Sequence, residues 1–124
     1  MINPCDIENE LISKIKTSGY NTYNAVPVTV PTGNVPFFIV SAENKIVDMN
    51  AYYYTIVFIY IYVYNNAGFK NDKKIGIMID ELKKIFPFSS DIGNYDVCPD
   101  ILPMGKSTSG YFINTIQLNT IIKK

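Results

Sequence analysis

Tyrosines crowd one short stretch of this chain. Tyr52, Tyr54, Tyr60, Tyr62 and Tyr64 fall at alternate positions, with Ile56 and Phe58 between them. A phenol ring offers a flat apolar face and a hydroxyl that both donates and accepts. A row of such rings can stack nucleobases or seat against another protein. Sheets that stack bases pair their aromatics with a basic groove. Here no charge interrupts residues 52–64, and 11 basic residues offset 11 acidic ones. All the basic residues are lysines, so the bidentate reader of phosphate and guanine is missing. The row therefore reads as a protein-binding surface or as a second layer covered within the chain by the Val-Pro segment, with no sequence-specific nucleic-acid partner; on the first reading these five tyrosines are the predicted interface residues.

Other chemistry finds little support. The chain has no histidine, which removes the usual general base and the commonest metal ligand. Asp48, Asp72, Asp80, Glu81, Asp91, Asp96 and Asp100 are scattered, without a spacing that demands catalysis. Ser89-Ser90 and Ser107 to Ser109 have no base in reach by sequence. Gly105-Lys106-Ser107 resembles the end of a phosphate-binding loop. The glycine required five residues earlier is Asp100, however, and the segment after Lys106, STSGYFINT, reads as turn and strand rather than helix. Cys5 and Cys98 stand alone, outside any zinc spacing, and are predicted to be free thiols in a reducing cytoplasm. The polar, acidic start MINPCDIENE does not read as a signal peptide. The expectation is a non-enzyme with no catalytic residue, no metal and no cofactor.

The elements that must position the tyrosines are set by periodicity. From Tyr52 to Tyr64 every residue is aromatic or β-branched, which suits a pleated strand. Its other face carries Tyr53, Thr55, Val57, Ile59, Ile61 and Val63. At ~3.3 Å per residue such a strand is roughly 43 Å long, more than a small domain readily covers. The run is too short and too hydroxylated for a helical membrane span, and a transmembrane barrel needs many such strands. No membrane partner is expected.

Asn3-Pro4 predicts a helix start, an N-cap followed by proline at the first helical position. Ile7, Leu11, Ile12 and Ile15 form its stripe, and Gly19 is the predicted stop. Residues 20–36 repeat a Val-Pro step at Val26-Pro27, Val30-Pro31 and Val35-Pro36, which predicts an edge strand or extended arm, with a turn at Thr32-Gly33-Asn34. Phe37 to Ser41 reads as a short strand, antiparallel to the long one, with residues 43–50 as a polar connector. Ile75, Met78, Ile79, Leu82, Ile85 and Phe86 keep helical spacing between an N-cap at Asn71 or Asp72 and Pro87. That stripe should pack on the aliphatic face of the long strand. Residues 89–94 read as loop, 95–102 as a strand edge broken by Pro99, 103–110 as turn, and 111–122 as a last strand. Residues 1–124 make one domain: an α+β fold with a single antiparallel β-sheet of about four strands and two helices packed on one face.

The succession VPFFIVSAEN, connector, YYYTIVFIYIYVYNN, gap and KKIGIMIDELKKIF resembles the tail-terminator proteins of long-tailed bacteriophages, also called tail-completion or minor tail proteins. The resemblance covers nearly the whole chain. It implies an α/β sandwich whose copies assemble as a ring, usually a hexamer, that caps the tail tube and joins it to the head. The implied partners are further copies of the chain, the tail tube protein and the head-tail connector. The implied location is the tail end of a virion assembled in the bacterial host cytoplasm. Two alternatives stand beside it: a head-tail connector, neck or tail-tube component, and a small cytosolic binding domain or enzyme with an unrecognised site.

Overall fold

The computed structural model describes residues 3–25, 34–43, 45–107 and 109–124. The predicted Val26-Pro27 and Val30-Pro31 steps and Thr32-Gly33 lie outside the described residues.

Helix α1 spans Pro4–Ile15. Asn3 Oδ1 accepts from the Asp6 amide at 2.9 Å, and Asp6 Oδ2 accepts from the Asn3 amide at 3.0 Å. This reciprocal box satisfies two of the amides that a helix start leaves without partners. The helix ends before the expected stop. A 3-10 turn, Lys16–Ser18, tightens the exit, and Gly19 then takes the left-handed φ of 90° that glycine accepts without a Cβ penalty. Helix α2 spans Asp72–Ile85, with Asn71 as its N-cap and Phe86 already extended before Pro87.

The strands are β1 (Asn21–Tyr23), β2 (Phe37–Ala42), β3 (Val47–Asp48), β4 (Tyr52–Tyr64), β5 (Phe88–Ser89), β6 (Gly93–Lys106) and β7 (Tyr111–Lys123). They form one seven-stranded sheet in the order β1-β2-β4-β7-β6-β5, with β3 also on β4. β1 runs parallel to β2 and the other pairs are antiparallel. The expected single antiparallel sheet of about four strands is therefore corrected to a larger, mixed one. Strands of two or three residues are too short to show a period, so β1, β3 and β5 left no trace in the hydrophobic pattern. Pro99 and Pro103 suggested breaks, yet β6 runs through both, absorbing them in register shifts between Val97 and Ile101 and between Pro103 and Gly105. Beyond β5, which pairs only with Asn94 and Tyr95, β6 has no outer partner among the described residues. Such an edge tolerates proline, because no ladder there requires the missing N–H.

β4 lies between β2 and β7, and all 13 of its residues are paired with β7. Opposed residues point to the same face. Val57, Ile59, Ile61 and Val63 share one face with Phe38 and Val40 of β2 and with Ile116, Leu118 and Ile122 of β7. Both helices cover that face, through Ile7, Leu11 and Ile15 of α1 and Ile75, Met78 and Leu82 of α2. Each fully buried aliphatic side chain there contributes about 1.5–3 kcal/mol. Two polar bonds pin α1 to the sheet. The Ala42 amide donates to Glu8 Oε2 at 2.8 Å, and the Tyr95 hydroxyl donates to Glu10 Oε2. Among the described residues, no helix is long and apolar enough to cross a membrane.

Candidate functional site

The face of the sheet away from the helices carries the tyrosines. Tyr52, Tyr54, Ile56, Phe58, Tyr60, Tyr62 and Tyr64 are all half-buried there, while the alternate residues from Thr55 to Val63 are buried. The register adds Phe37, Ile39 and Ser41 from β2, and Tyr111, Ile113 and Thr115 from β7.

At one end the rings form a second, smaller core. Phe37, Ile39 and Tyr111 are buried, with Tyr23, Tyr60, Tyr62 and Tyr64 packed against them. Phe37 also meets Tyr23 edge-on at 5.7 Å and Tyr111 edge-on at 5.3 Å. Tyr64 meets Tyr111 edge-on at 5.3 Å. These are the perpendicular arrangements that ring quadrupoles favour. The Tyr111 hydroxyl donates to the Val35 carbonyl at 3.3 Å, tying the chain before β2 to the cluster. Burial, then the neighbouring Tyr60, raises the Tyr62 pKa. Burial, then Tyr64 and Tyr23, raises that of Tyr111. Both shifts favour the neutral phenol.

The predicted interface residues thus divide into two groups. Tyr60, Tyr62 and Tyr64 come together in the aromatic cluster. Tyr52 and Tyr54 lie at the opposite end of β4, where the Tyr54 hydroxyl donates to Asn119 Oδ1 at 3.0 Å and Tyr52 sits opposite Lys123. Sequence reasoning does not find Phe37, Ile39, Tyr23 and Tyr111. Alternation in the segment FFIVS places Phe37 and Ile39 on one side; only the register shows that the side is the tyrosine side.

Between the cluster and the end of β1 lies an open hollow of about 370 Å³, lined by Asn24, Ala25, Ile39, Ser41, Tyr60, Tyr62 and Ile113. Its walls are aromatic and aliphatic, and its polar groups are neutral. Beside it Thr115, paired with Tyr60, is buried, and its hydroxyl has no hydrogen-bond partner among the described residues. The same face continues outward through two exposed aliphatics, Leu102 opposite Thr115 and Ile121 opposite Tyr54.

Two other hollows have a different character. One of about 470 Å³ is rich in amides, with Asn34, Asn65, Asn66 and Asn71 beside Tyr64 and Lys74. Lys74 Nζ there donates to the Tyr20 hydroxyl at 2.9 Å. The other, of about 350 Å³, lies between Lys83, Phe86 and Cys98. Among the described residues, no group of three His, Cys, Asp or Glu side chains could hold a metal ion. Gly105-Lys106-Ser107 lies at the hairpin between β6 and β7. The Ser107 amide donates to the Tyr111 carbonyl at 2.7 Å, and Lys106 Nζ lies 5.8 Å from the Phe112 ring centroid. The chain turns there into a strand, where a phosphate cradle would need a helix N-terminus.

No protein-family model matches this chain, and no curated protein matches it either.

Proposed function

We propose that this protein is a non-enzymatic structural subunit that works by joining copies of itself. In this reading it is the tail terminator of a phage or phage-like particle, forming a ring, usually of six, that caps the tail tube and meets the head-tail connector. The observation that carries the reading is the aromatic face of β4. Its side chains stay half-exposed from Tyr52 to Tyr64, and exposed Leu102 and Ile121 extend the same surface. Monomeric proteins rarely leave contiguous apolar patches beyond a few hundred Å² uncovered. A second copy or a tube subunit would cover this face, and tyrosine suits that use, since it supplies large area, little rotamer freedom and a polar tip.

Size-exclusion chromatography with light scattering tests the reading. A discrete ring-sized species is expected. Leu102→Glu and Ile121→Glu alter exposed positions, so they should reduce that species to folded monomer or block joining to tail tubes. A wild-type chain that stays monomeric at high concentration and ignores tubes would overturn the proposal.

A further inference from the structure

Residues 65–69 connect β4 toward α2 through a tight turn. The Asn66 amide donates to the Phe69 carbonyl at 2.8 Å, and the Phe69 amide donates back to the Asn66 carbonyl at 3.0 Å. Ala67 and Gly68, between them, have φ of 54° and 86°, the double left-handed conformation of a primed hairpin turn. Alanine seldom adopts that conformation, so the surrounding bonds must hold it. Asn65 provides them: its Oδ1 accepts from the Gly68 amide at 2.8 Å, and its Nδ2 donates to the Gly110 carbonyl at 3.0 Å. The turn is thereby fastened to the β6–β7 hairpin. It presents Phe69, whose surface is 77% exposed, well above any other exposed large hydrophobic residue described.

The anchored turn thus holds an exposed aromatic residue, and the molecule carries an apolar hollow large enough to receive one. The hollow between Tyr60, Tyr62, Ile39 and Ile113 has about 370 Å³ of space. A cavity of about 150 Å³ already accepts a benzene ring, so a phenyl group fits with room for rearrangement. Phe69 is not among the residues lining the hollow, it is exposed, and its turn is anchored where it stands, so Phe69 does not fill its own hollow. We propose that Phe69 of one copy seats in the Tyr60–Tyr62 hollow of the next. Repeated head-to-tail around one axis, the contact closes into a ring when the rotation divides a full turn; reciprocal seating would give a two-fold dimer instead. The inference rests on the self-assembly reading and specifies its contact. Asn24 and Ser41 in the lining are neutral, so the hollow sets no like charge against Lys70 beside Phe69.

Two experiments test it. Phe69→Ala should weaken self-association by about 10-fold or more, the scale of an interface hot spot, with the circular-dichroism melt unchanged. For the geometry, Cys5 and Cys98 are first replaced with serine. Lys70→Cys, which leaves Phe69 in place, and Ser41→Cys are then introduced in separate preparations. Mild oxidation should give covalent dimers from the mixture and none from either preparation alone. If the wild type is monomeric, the assembly reading and this inference fail together. If it is oligomeric but the mixture does not cross-link, or Lys70→Cys cross-links to itself, the assembly reading survives and the Phe69 seat is wrong.

Discussion

The rings of Phe37 and Tyr62 lie nearly parallel, 15° between their planes, with centroids 4.7 Å apart. The two residues are also directly paired across β2 and β4. A cross-strand aromatic pair of this kind adds about 0.5–1.5 kcal/mol beyond the area it buries. It joins a strand that looks minor in the sequence to the strand that organises the sheet.

Phe37 should accordingly be a stability residue. It is 3% exposed, so Phe37→Ala is expected to cost about 3–5 kcal/mol in a urea melt. A loss below about 1 kcal/mol would mean that the aromatic cluster contributes little to the monomer.

Helix α2 makes a graded prediction. Leu82 is 1% exposed in the main core, and Leu82→Ala should cost about 2–5 kcal/mol. Ile77, 42% exposed on the same helix, should change stability by less than about 0.5 kcal/mol when replaced with Ala. Equal effects in denaturant titrations would show that the helix packs through another face.

Tyr95 predicts a pH dependence. Burial first, and then the Glu10 carboxylate that accepts its hydroxyl, push the Tyr95 pKa far above its ordinary value of 10.0. In the unfolded chain the phenol releases its proton near pH 10, while the folded chain retains it. The unfolded state then binds fewer protons, so stability is intact below pH 10 and falls above it, by on the order of 1 kcal/mol per pH unit for one group. Thermal melts between about pH 9 and pH 11.5 should show this decline. Tyr95→Phe should lose stability at neutral pH and decline less steeply above pH 10. An unchanged slope would remove Tyr95 from the account, leaving the smaller shifts at Tyr62 and Tyr111.

Two glycines should respond oppositely. A Cβ on Gly93 would collide with the Ile121 carbonyl oxygen, a backbone atom that cannot turn aside, so Gly93→Ala should disrupt the β6–β7 pairing and greatly reduce soluble yield. Gly76 sits inside α2 with open space around it, and Gly76→Ala should stabilise by about 0.5–1 kcal/mol. Comparing the two melting temperatures with wild type checks both signs.

What the sequence disclosed depended on the range of the signal. The Asn3 cap, the Ile75–Met78–Leu82 stripe and the alternation from Tyr52 to Tyr64 are local patterns, and each could be read from neighbouring residues. The parallel pairing of Asn21–Tyr23 with Phe37–Ile39 has no local signature. Nor does the meeting of Tyr111 with Phe37 and Tyr64, because it depends on which strand lies beside which. Pro99 and Pro103 misled for a physical reason. They forbid a central strand, and the edge read at residues 95–102 holds, but a bulged edge strand can run on through both prolines, which only the register shows. At the candidate site, the tyrosine row was visible in the sequence. The hollow was not, because strands β2, β4 and β7 and the end of β1 all contribute to its walls.

The complete pairing of β4 with β7 also bears on how the protein is made. Residues 52–64 emerge from the ribosome well before residues 111–123, and until then β4 has one flank unpaired and its apolar face only partly covered. Long-range pairings of this kind slow folding and expose sticky strands in the interval. Nascent chains should therefore pass through a chaperone-dependent stage that ends when β7 is released, and truncations that remove β7 should accumulate as aggregates rather than as a smaller folded domain.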